Sequence, residues 1–240
     1  MLKIVLLGYG AMGRTIEAVA KEHGDVEIAA RCDAYADGCY RNLEDITEDF
    51  DVIVDFSKPE SLENTIKYCE KHKKPVLIAT TGFTKEQDEA IEKLSHEVPV
   101  FHTQNMSLGI NVMEKVLKMI APILRDSFDI EIIEAHHNKK VDAPSGTANM
   151  LLKAVTDGQS VKTVYGREGY SKREQGEIGM HSIRGGTISG EHTVMFAGND
   201  EIIEIKHTAL SKKVFAEGAI KAARFLKDAS AGLYQMNDIL

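Results

Sequence analysis

The fold is decided by the stretch Ile4-Val5-Leu6-Leu7-Gly8-Tyr9-Gly10-Ala11-Met12-Gly13, in which an apolar run meets three glycines with the spacing GxGxxG. An apolar-periodic segment follows through Ile16, Val19 and Ala20. This order predicts a strand, a tight turn and a helix, because glycine permits a sharp bend, close packing of helix on strand and close approach to a pyrophosphate. The N–H groups at the start of the helix would bind that pyrophosphate.

A second strand is predicted directly after this helix, over Val26-Glu27-Ile28-Ala29-Ala30. Asp33 follows it at a distance from the glycines, about 20 residues, at which dinucleotide-binding units carry an acid for a ribose hydroxyl. We therefore predict that Asp33 binds the cofactor ribose, with an ordinary loop acid as the alternative reading.

Short apolar runs alternate with amphipathic segments through the rest of the N-terminal part, which predicts a doubly wound, Rossmann-like parallel sheet. The predicted strands are Leu2–Leu7, Val26–Cys32, Val52–Asp55, Val76–Ala79 and Val98–Phe101, with helices over Pro59–Lys71 and Lys85–His96. Ligands of such sheets bind beyond the carboxyl ends of the strands. Besides the glycine loop Gly8, Tyr9, Gly10, Ala11, Met12 and Gly13, the predicted cofactor residues are therefore the strand-end residues Phe56, Ser57, Ala79, Thr80, Thr81, Thr103, Gln104, Asn105 and Met106, unless these are ordinary turns.

The pattern changes after residue 106, which predicts a dinucleotide-binding domain over 1–106 and a substrate-binding and oligomerisation domain over 107–211. In the second domain a helix over Leu108–Leu124 precedes strands of an open mixed or antiparallel sheet, at Phe128–His137, Gly179–Arg184, His192–Ala197 and Glu201–His207. The fold class is thus α/β with a C-terminal α+β domain. Gly158–Gln175 is predicted to be a mobile loop or an excursion towards a neighbouring subunit. The final helix is predicted over Lys212–Lys227. The C-terminal segment 212–240, which contains this helix, is predicted to pack back on the first domain.

A second informative stretch is Glu134-Ala-His-His-Asn-Lys-Lys-Val-Asp-Ala-Pro-Ser-Gly-Thr-Ala148, which gathers proton donors and anion-binding groups. Because alternate side chains of a strand point to opposite faces, His136 and His137 are predicted at a strand end on opposite sides. Pro144 stops the extended run, and Ser145 can cap a helix whose first N–H groups bind a carboxylate. The alternative interpretation is that one imidazole packs in the protein and the other is solvated, and that Ser-Gly-Thr is an ordinary helix start.

The composition limits the function classes. Among 240 residues, 37 acidic against 29 basic side chains give a net charge of -8, which argues against nucleic-acid or anionic-membrane partners. Three cysteines without CxxC spacing indicate neither a disulfide framework nor a metal site, and favour a reducing cytoplasm. Met1 leads straight into the first predicted strand, and no apolar run is long enough for a membrane span, so we expect neither secretion nor insertion.

The chain closely resembles the 4-hydroxy-tetrahydrodipicolinate reductase family, also called dihydrodipicolinate reductases. The resemblance covers nearly the whole chain and rests most specifically on the stretch from Glu134 to Ala148. It is also carried by the motifs Gly-Tyr-Gly-Ala-Met-Gly-Arg, Asp55-Phe56-Ser57, Ala79-Thr80-Thr81-Gly82-Phe83, Ile183-Arg184-Gly185-Gly186 and Gly190-Glu191-His192-Thr193. It implies NAD(P)H-dependent reduction of a cyclic dicarboxylate, 4-hydroxy-tetrahydrodipicolinate, with loss of water to give tetrahydrodipicolinate in lysine and diaminopimelate biosynthesis.

The resemblance also implies roles for single residues. By motif position, His136 is the general acid/base, Lys140 the proton donor and His137 a residue beside the substrate. The turn Ser145-Gly146-Thr147 would hold one substrate carboxylate. Arg184 would be an indirect or loop partner and Lys139 a solvated charge. Family members are commonly homotetramers built by joining second-domain sheets, which we expect here.

The glycine loop departs from the commonest family pattern, because Ala11 stands where many members carry arginine. With Asp33 after the second strand, no arginine is placed to bind a 2′-phosphate. We therefore predict NADH as the preferred cofactor over NADPH. Arg31 or Lys58 could compensate from nearby.

Two other functions remain open from the sequence. Another small dehydrogenase of the aspartate or homoserine type could share the layout, since such folds host many chemistries. A non-catalytic dinucleotide sensor is the other, although the acidic balance and the lack of a helix-turn-helix disfavour it.

Overall fold

The computed structural model describes residues 1–240, which form two compact units. Unit 1 comprises residues 1–108 and 212–240, and unit 2 comprises residues 109–211. The C-terminal segment therefore belongs to the same unit as the N-terminal strands.

Unit 1 contains six strands, β1 (Leu2–Leu7), β2 (Val26–Cys32), β3 (Val52–Asp55), β4 (Val76–Ile78), β5 (Pro99–His102) and β11 (Gly232–Tyr234). They form one parallel sheet with the order β11-β5-β4-β3-β1-β2. Its helices are α1 (Ala11–His23), α2 (Leu62–His72), α3 (Lys85–Ser95) and α6 (Lys213–Lys227). This is the predicted Rossmann-like fold, and the prediction of the fold class is confirmed.

Burial of both faces explains the continuous apolar strands of this sheet. Ile4 and Leu6 of β1 lie in the core beneath α1 and α6, whereas Val5 and Leu7 lie in the core on the opposite face. A parallel strand covered on both sides has no solvent face, so its sequence shows no alternation. Gly218 of α6 packs so closely on the main chain of Met106 that a Cβ at that position would overlap the carbonyl oxygen of Met106.

Two details of unit 1 differ from the sequence prediction. Pro59–Ser61 forms a separate 3₁₀ turn, and α2 starts only at Leu62. The edge strand β11 was not predicted, because three residues are too short for a recognisable period.

Unit 2 contains a five-stranded mixed sheet with the order β10-β9-β6-β8-β7. Its strands are β6 (Asp129–His136), β7 (Thr163–Tyr165), β8 (Ile178–Arg184), β9 (Glu191–Ala197) and β10 (Ile202–Thr208), and its helices are α4 (Leu108–Leu124) and α5 (Gly146–Thr156). The central strand β6 runs parallel to β8 and antiparallel to β9.

The prediction of a mobile loop over Gly158–Gln175 was wrong in part. Thr163–Tyr165 form β7, which pairs in parallel with β8. Arg173 ties the following segment to the sheet through ion pairs with Asp129, at 2.9 Å, and Glu131. These pairs join distant parts of the chain and leave no local signal in the sequence.

Helices cover only one face of the unit 2 sheet. Side chains such as Ile132 and Phe196 are buried against α4 and α5. On the opposite face, Ile183 is 51% and Ile202 62% exposed. No helix of the structure is both apolar enough and long enough to span a bilayer.

Candidate active site

The glycine loop has the geometry of a phosphate-binding turn. Gly8 has φ +88°, and a Cβ there would lie 2.6 Å from the carbonyl oxygen of Phe56. A Cβ at Gly13 would overlap the carbonyl oxygen of Gly8, whereas one at Gly10 would meet nothing within 4 Å. Gly8 and Gly13 are thus needed for packing, while Gly10 leaves the main chain open to a ligand. No side chain caps the start of α1, so its N–H groups can bind a pyrophosphate.

Asp33 lies directly after β2, beside this loop. One carboxylate oxygen accepts a hydrogen bond from Tyr9 N at 2.7 Å, and the other accepts from Tyr35 N and Ala36 N at 2.8 Å. Burial raises the pKa of this carboxyl, but the three N–H donors outweigh it and hold the pKa below its usual value. Asp33 is therefore a fixed negative charge at the glycine loop.

The Arg31 guanidinium forms a salt bridge with another acid, Glu17. Its guanidinium donates to both oxygens of Glu17 at 2.9 and 2.6 Å, and the Tyr9 hydroxyl also donates to Glu17. The hydrogen bonds from Arg31 contribute most to a pKa of Glu17 far below its usual range. The other candidate for charge compensation, Lys58, has its Nζ atom 5.9 Å from the centroid of the Tyr35 ring.

The buried carboxyl of Asp55 connects the turns after β3 and β4. Its Oδ1 atom accepts hydrogen bonds from Ser57 N at 2.8 Å, Ser57 Oγ at 2.5 Å and Thr80 Oγ1 at 3.3 Å. Asp55 is 1% exposed, and burial raises its pKa to about 6 because no cation is paired with it. The sequence analysis quoted Asp55 in a strand-end motif but did not include it among the predicted cofactor residues.

The remaining predicted cofactor residues also lie at the carboxyl edge of the parallel sheet. Ala79, Thr80 and Thr81 follow β4, and Thr103, Gln104, Asn105 and Met106 follow β5. Met106 is buried: its side chain belongs to the hydrophobic core, and its carbonyl oxygen packs against Gly218.

In unit 2, β6 ends at His136, whose Nδ1 atom lies 2.6 Å from Glu134 Oε2. Glu134 is fully buried and also pairs with Arg184, whose Nη1 and Nη2 atoms donate to its two oxygens at 2.8 and 2.7 Å. Burial alone raises the pKa of Glu134, but hydrogen bonds from Arg184, Ser182 and His136 lower it to about 2. Burial lowers the pKa of the His136 imidazole, and the charge of Glu134 opposes this effect.

Ser145 is the N-cap of α5, as predicted: its hydroxyl accepts a hydrogen bond from Ala148 N at 3.1 Å. The same hydroxyl lies 3.2 Å from Nε2 of His192, a buried residue of β9 whose pKa burial lowers to about 4. Gly146 and Thr147 form the first turn of α5, and a Cβ at Gly146 would meet nothing within 4 Å. The helix start is thus capped by a side chain and sterically open at Gly146.

The two other predicted residues of this site lie in the turn after β6. The main-chain N–H of Lys140 donates to the carbonyl of His137 at 3.1 Å, and the Lys140 ammonium pairs with Asp142 at 2.8 Å. Sequence reasoning missed Glu134 and His192, although both stand inside motifs that it quoted. Glu134 shares a strand face with His136 by its spacing of two, which is the signal that could have identified it.

Together these features define a class of protein. A parallel sheet with an open GxGxxG turn binds a dinucleotide, and the second unit places an imidazole and an ammonium near a helix N-terminus suited to a carboxylate. This is the arrangement of a nicotinamide-dependent oxidoreductase that acts on a small acid. No group of three or more His, Cys, Asp or Glu side chains is placed to hold a metal ion.

Comparison with known proteins gives the family. The model for the N-terminus of dihydrodipicolinate reductase matches residues 2–106, and the model for its C-terminus matches residues 109–240. The chain is 46% identical to the 4-hydroxy-tetrahydrodipicolinate reductase of Clostridium tetani, over 100% of this chain and 97% of that protein. This chain belongs to the dihydrodipicolinate reductase family.

Solved structures agree at the level of fold. A dipicolinate-bound dihydrodipicolinate reductase from Paenisporosarcina sp. TG-14 matches with a TM-score of 0.81 and 22% identity over 100% of both chains. Aspartate dehydrogenase from Thermotoga maritima matches with a TM-score of 0.53 and 14% identity, over 94% of this chain and 97% of that one. The fold is therefore shared with other dehydrogenases.

The raised pKa of Asp55 predicts a pH-dependent stability. Its pKa of about 6 exceeds the unfolded value of about 3.9, so the ionised carboxyl destabilises the fold above pH about 6, and this penalty disappears as the pH falls towards 4. Asp55→Asn keeps an acceptor oxygen but cannot ionise. We expect this substitution to increase the free energy of unfolding at pH about 8 by up to roughly 3 kcal/mol, and so to raise the thermal midpoint. Near pH 4 the thermal midpoint of the variant should match that of the unmodified protein.

Asp51 provides the matched control, because it stands just before the same strand and its pKa is shifted the other way. Burial raises that pKa, but the hydrogen bond from Lys3 N and the Lys227 ammonium bring it below its usual value. Asp51→Asn should therefore lower the midpoint at pH about 8. A lower midpoint for Asp55→Asn at that pH would contradict the prediction.

Proposed function

We propose that this chain catalyses the NAD(P)H-dependent reduction of 4-hydroxy-tetrahydrodipicolinate to tetrahydrodipicolinate, with loss of water, in lysine and diaminopimelate biosynthesis. The sequence relatives that span the whole chain support this reaction. The structural observation that carries it is the site in unit 2, where Glu134, His136 and Arg184 form a buried network beside the start of α5. Imidazole, ammonium and an anion site are the groups needed to protonate and hold a carboxylate substrate.

The residues divide the chemistry among them. Bound NAD(P)H supplies the hydride, and the protein must supply a matching proton and hold the substrate. We assign His136 as general acid/base and Lys140 as proton donor, since an ammonium both donates a proton and attracts a dianion. The main-chain N–H groups of Gly146 and Thr147, with the Ser145 hydroxyl, would hold one carboxylate, and His137 would lie beside the substrate.

The activity test generates the unstable substrate in place, from aspartate semialdehyde, pyruvate and a 4-hydroxy-tetrahydrodipicolinate synthase, and follows NADH oxidation. We expect rapid oxidation only when all three additions are present. His136→Gln and Lys140→Ala should each reduce kcat by about 100-fold or more, because general acid/base groups contribute on that order. Lys139→Ala is the matched control, since Lys139 is exposed and has no assigned role.

The same variants separate the alternative functions. An enzyme should lose turnover but keep cofactor affinity, because the substituted residues belong to unit 2 and the glycine loop to unit 1. A dinucleotide sensor should lose neither property. Absence of oxidation with intact NADH binding would favour a different dehydrogenase or the dinucleotide sensor.

We infer a preference for NADH from the charges around the glycine loop. Asp33 presents a negative charge there, and Arg31 is already paired with Glu17. Ala11 adds no cation at the start of α1. The sequence analysis missed Arg41, which lies beside Asp33, but its guanidinium donates to the main-chain carbonyls of Asp33 and Ala36 at 2.9 and 3.0 Å. A 2′-phosphate would therefore meet the acid while both nearby guanidiniums are engaged, and would bind less well than a ribose hydroxyl.

Side-by-side KM values for the two cofactors test this preference. We expect a lower KM for NADH than for NADPH. Asp33→Asn should bring the two KM values closer together, because it removes the negative charge while keeping an acceptor for the loop N–H groups. Asp37→Asn is the control for a nearby exposed acid. Equal or better use of NADPH by the unmodified protein would show that Asp33 does not discriminate.

We further propose a homotetramer joined through the uncovered face of the unit 2 sheet, on which Ile183 and Ile202 are exposed. Sedimentation should then give four times the chain mass of 26.5 kDa. Ile202→Lys should lower this mass, because a charge would be buried in the interface. Ile123→Lys on α4, where Ile123 is 74% exposed, is the control. A monomer under all conditions would exclude the assembly.

We place the enzyme in the cytoplasm. Cys32, Cys39 and Cys69 are all free thiols, as in proteins of reducing compartments.

A further inference from the structure

One buried carboxylate serves both halves of the unit 2 site. Oε2 of Glu134 lies 2.6 Å from His136 Nδ1, and Oε1 accepts a hydrogen bond from Ser145 N at 3.2 Å. Each oxygen also accepts one N–H of the Arg184 guanidinium. The Glu134 side chain therefore contacts both the proposed acid/base, His136, and the first residue of the proposed anion site, Ser145. Ser145 lies eleven positions after Glu134 in the chain.

This contact fixes the tautomer of His136. An ionised carboxylate can only accept hydrogen bonds, and Glu134 is held ionised by Arg184. Nδ1 of His136 must then carry a proton, which leaves Nε2 of the neutral ring as the atom that can accept or pass on a proton. Nε2 faces Gly190, where a Cβ would lie 3.3 Å away, so the residue next to the reactive nitrogen has no side chain to block it.

We propose that Glu134 is a positioning residue of the reductase, which holds His136 as the Nδ1–H tautomer and anchors the carboxylate-binding start of α5 to the same point. The proposal rests on the proposed role of His136. Glu134 itself is fully buried and touches no substrate, so it acts through His136 and Ser145.

Other charges also face His136 and set the background for a pH measurement. Lys140 of the following turn and Arg184 of β8 both disfavour the imidazolium, whereas Glu134 favours it. The His192 ring of β9 packs edge-on with ring centroids 5.2 Å apart, and its own pKa is lowered, so it adds no positive charge near neutral pH. Glu134 is thus the group whose negative charge supports protonation of His136.

Glu134→Gln tests the proposal, because the amide keeps the size of the side chain but removes the charge. An amide N–H of the glutamine that faces Nδ1 would stabilise the Nε2–H tautomer of His136. In that tautomer Nε2 carries the proton and cannot act as a base, which is how the loss of a carboxylate partner disables a catalytic imidazole. We expect kcat to fall on the order of 100-fold and the limb of its pH profile that belongs to His136 to move to lower pH. KM for the substrate should rise as the start of α5 loses its anchor, while the dissociation constant for NADH stays unchanged.

Glu131→Gln is the matched control. Glu131 lies on the same strand and also binds a histidine and arginines, His181 at 2.7 Å together with Arg173 and Arg167, but its side chain points to the opposite face of the sheet. Loss of the Glu131 carboxylate should therefore leave the limb of the kcat pH profile that belongs to His136 at the same pH.

A double substitution separates positioning from general stabilisation. If Glu134 acts through His136, Glu134→Gln combined with His136→Gln should lower kcat no further than His136→Gln alone. Additive losses would overturn the proposal. A His136→Gln variant with full activity would instead overturn the proposed role of His136, so the two failures are distinguishable.

Glu134→Gln leaves Arg184 without its charged partner and could prevent folding, so a measurement on the unmodified protein completes the test. Nitrogen-15 NMR of the histidine rings at pH about 8 should show His136 as the neutral Nδ1–H tautomer. The Nε2–H tautomer would overturn the proposal whatever the variants do.

Discussion

A carboxylate that leaves water must be compensated by donors, and this constraint organises both units. Glu134 and Asp55 are equally buried, but Glu134 pairs with the Arg184 guanidinium while Asp55 receives only neutral hydroxyl and N–H donors. The pKa of Glu134 is therefore lowered to about 2, whereas that of Asp55 is raised to about 6. The Arg184 cation keeps Glu134 ionised, whereas Asp55, which has no cation beside it, takes up a proton in mildly acidic solution.

The two carboxyls perform related structural tasks. Asp55 joins the turns after β3 and β4, on which Gly8 packs through Phe56. Glu134 joins the end of β6 to the start of α5. In each case residues far apart in sequence are tied by one side chain at the carboxyl end of a strand, where loops would otherwise be mobile. Preorganised loops of this kind bind ligands at a smaller loss of conformational entropy.

The sequence predicted the parallel sheet because buried strands and the glycine turn have strong local signals. It also predicted the Ser145 cap, since a cap depends on neighbours within one turn. It missed β7 and β11, which are three residues long, and the anchoring of Arg173 to β6, which crosses more than forty positions. The spacing of Glu134 from His136 is a local signal, but the hydrogen bonds of Glu134 to Arg184 depend on the pairing of β6 with β8. Long-range pairing therefore marks the limit of what local patterns predict.

Fold likeness alone does not identify the reaction of this chain, since aspartate dehydrogenase from Thermotoga maritima shares the architecture at 14% identity. What the scaffold leaves variable are the side chains at the end of β6 and the start of α5. There a short segment carries an imidazole, an ammonium and a capped helix start, with Glu134 holding the first and the last of these in one geometry. With the proposed roles of His136 and of the start of α5, a substitution that changed the ionisation of this single carboxyl would alter proton transfer and anion binding together. The proposed chemistry of this site therefore depends on the buried pair of Glu134 and Arg184 as well as on the residues that would meet the substrate.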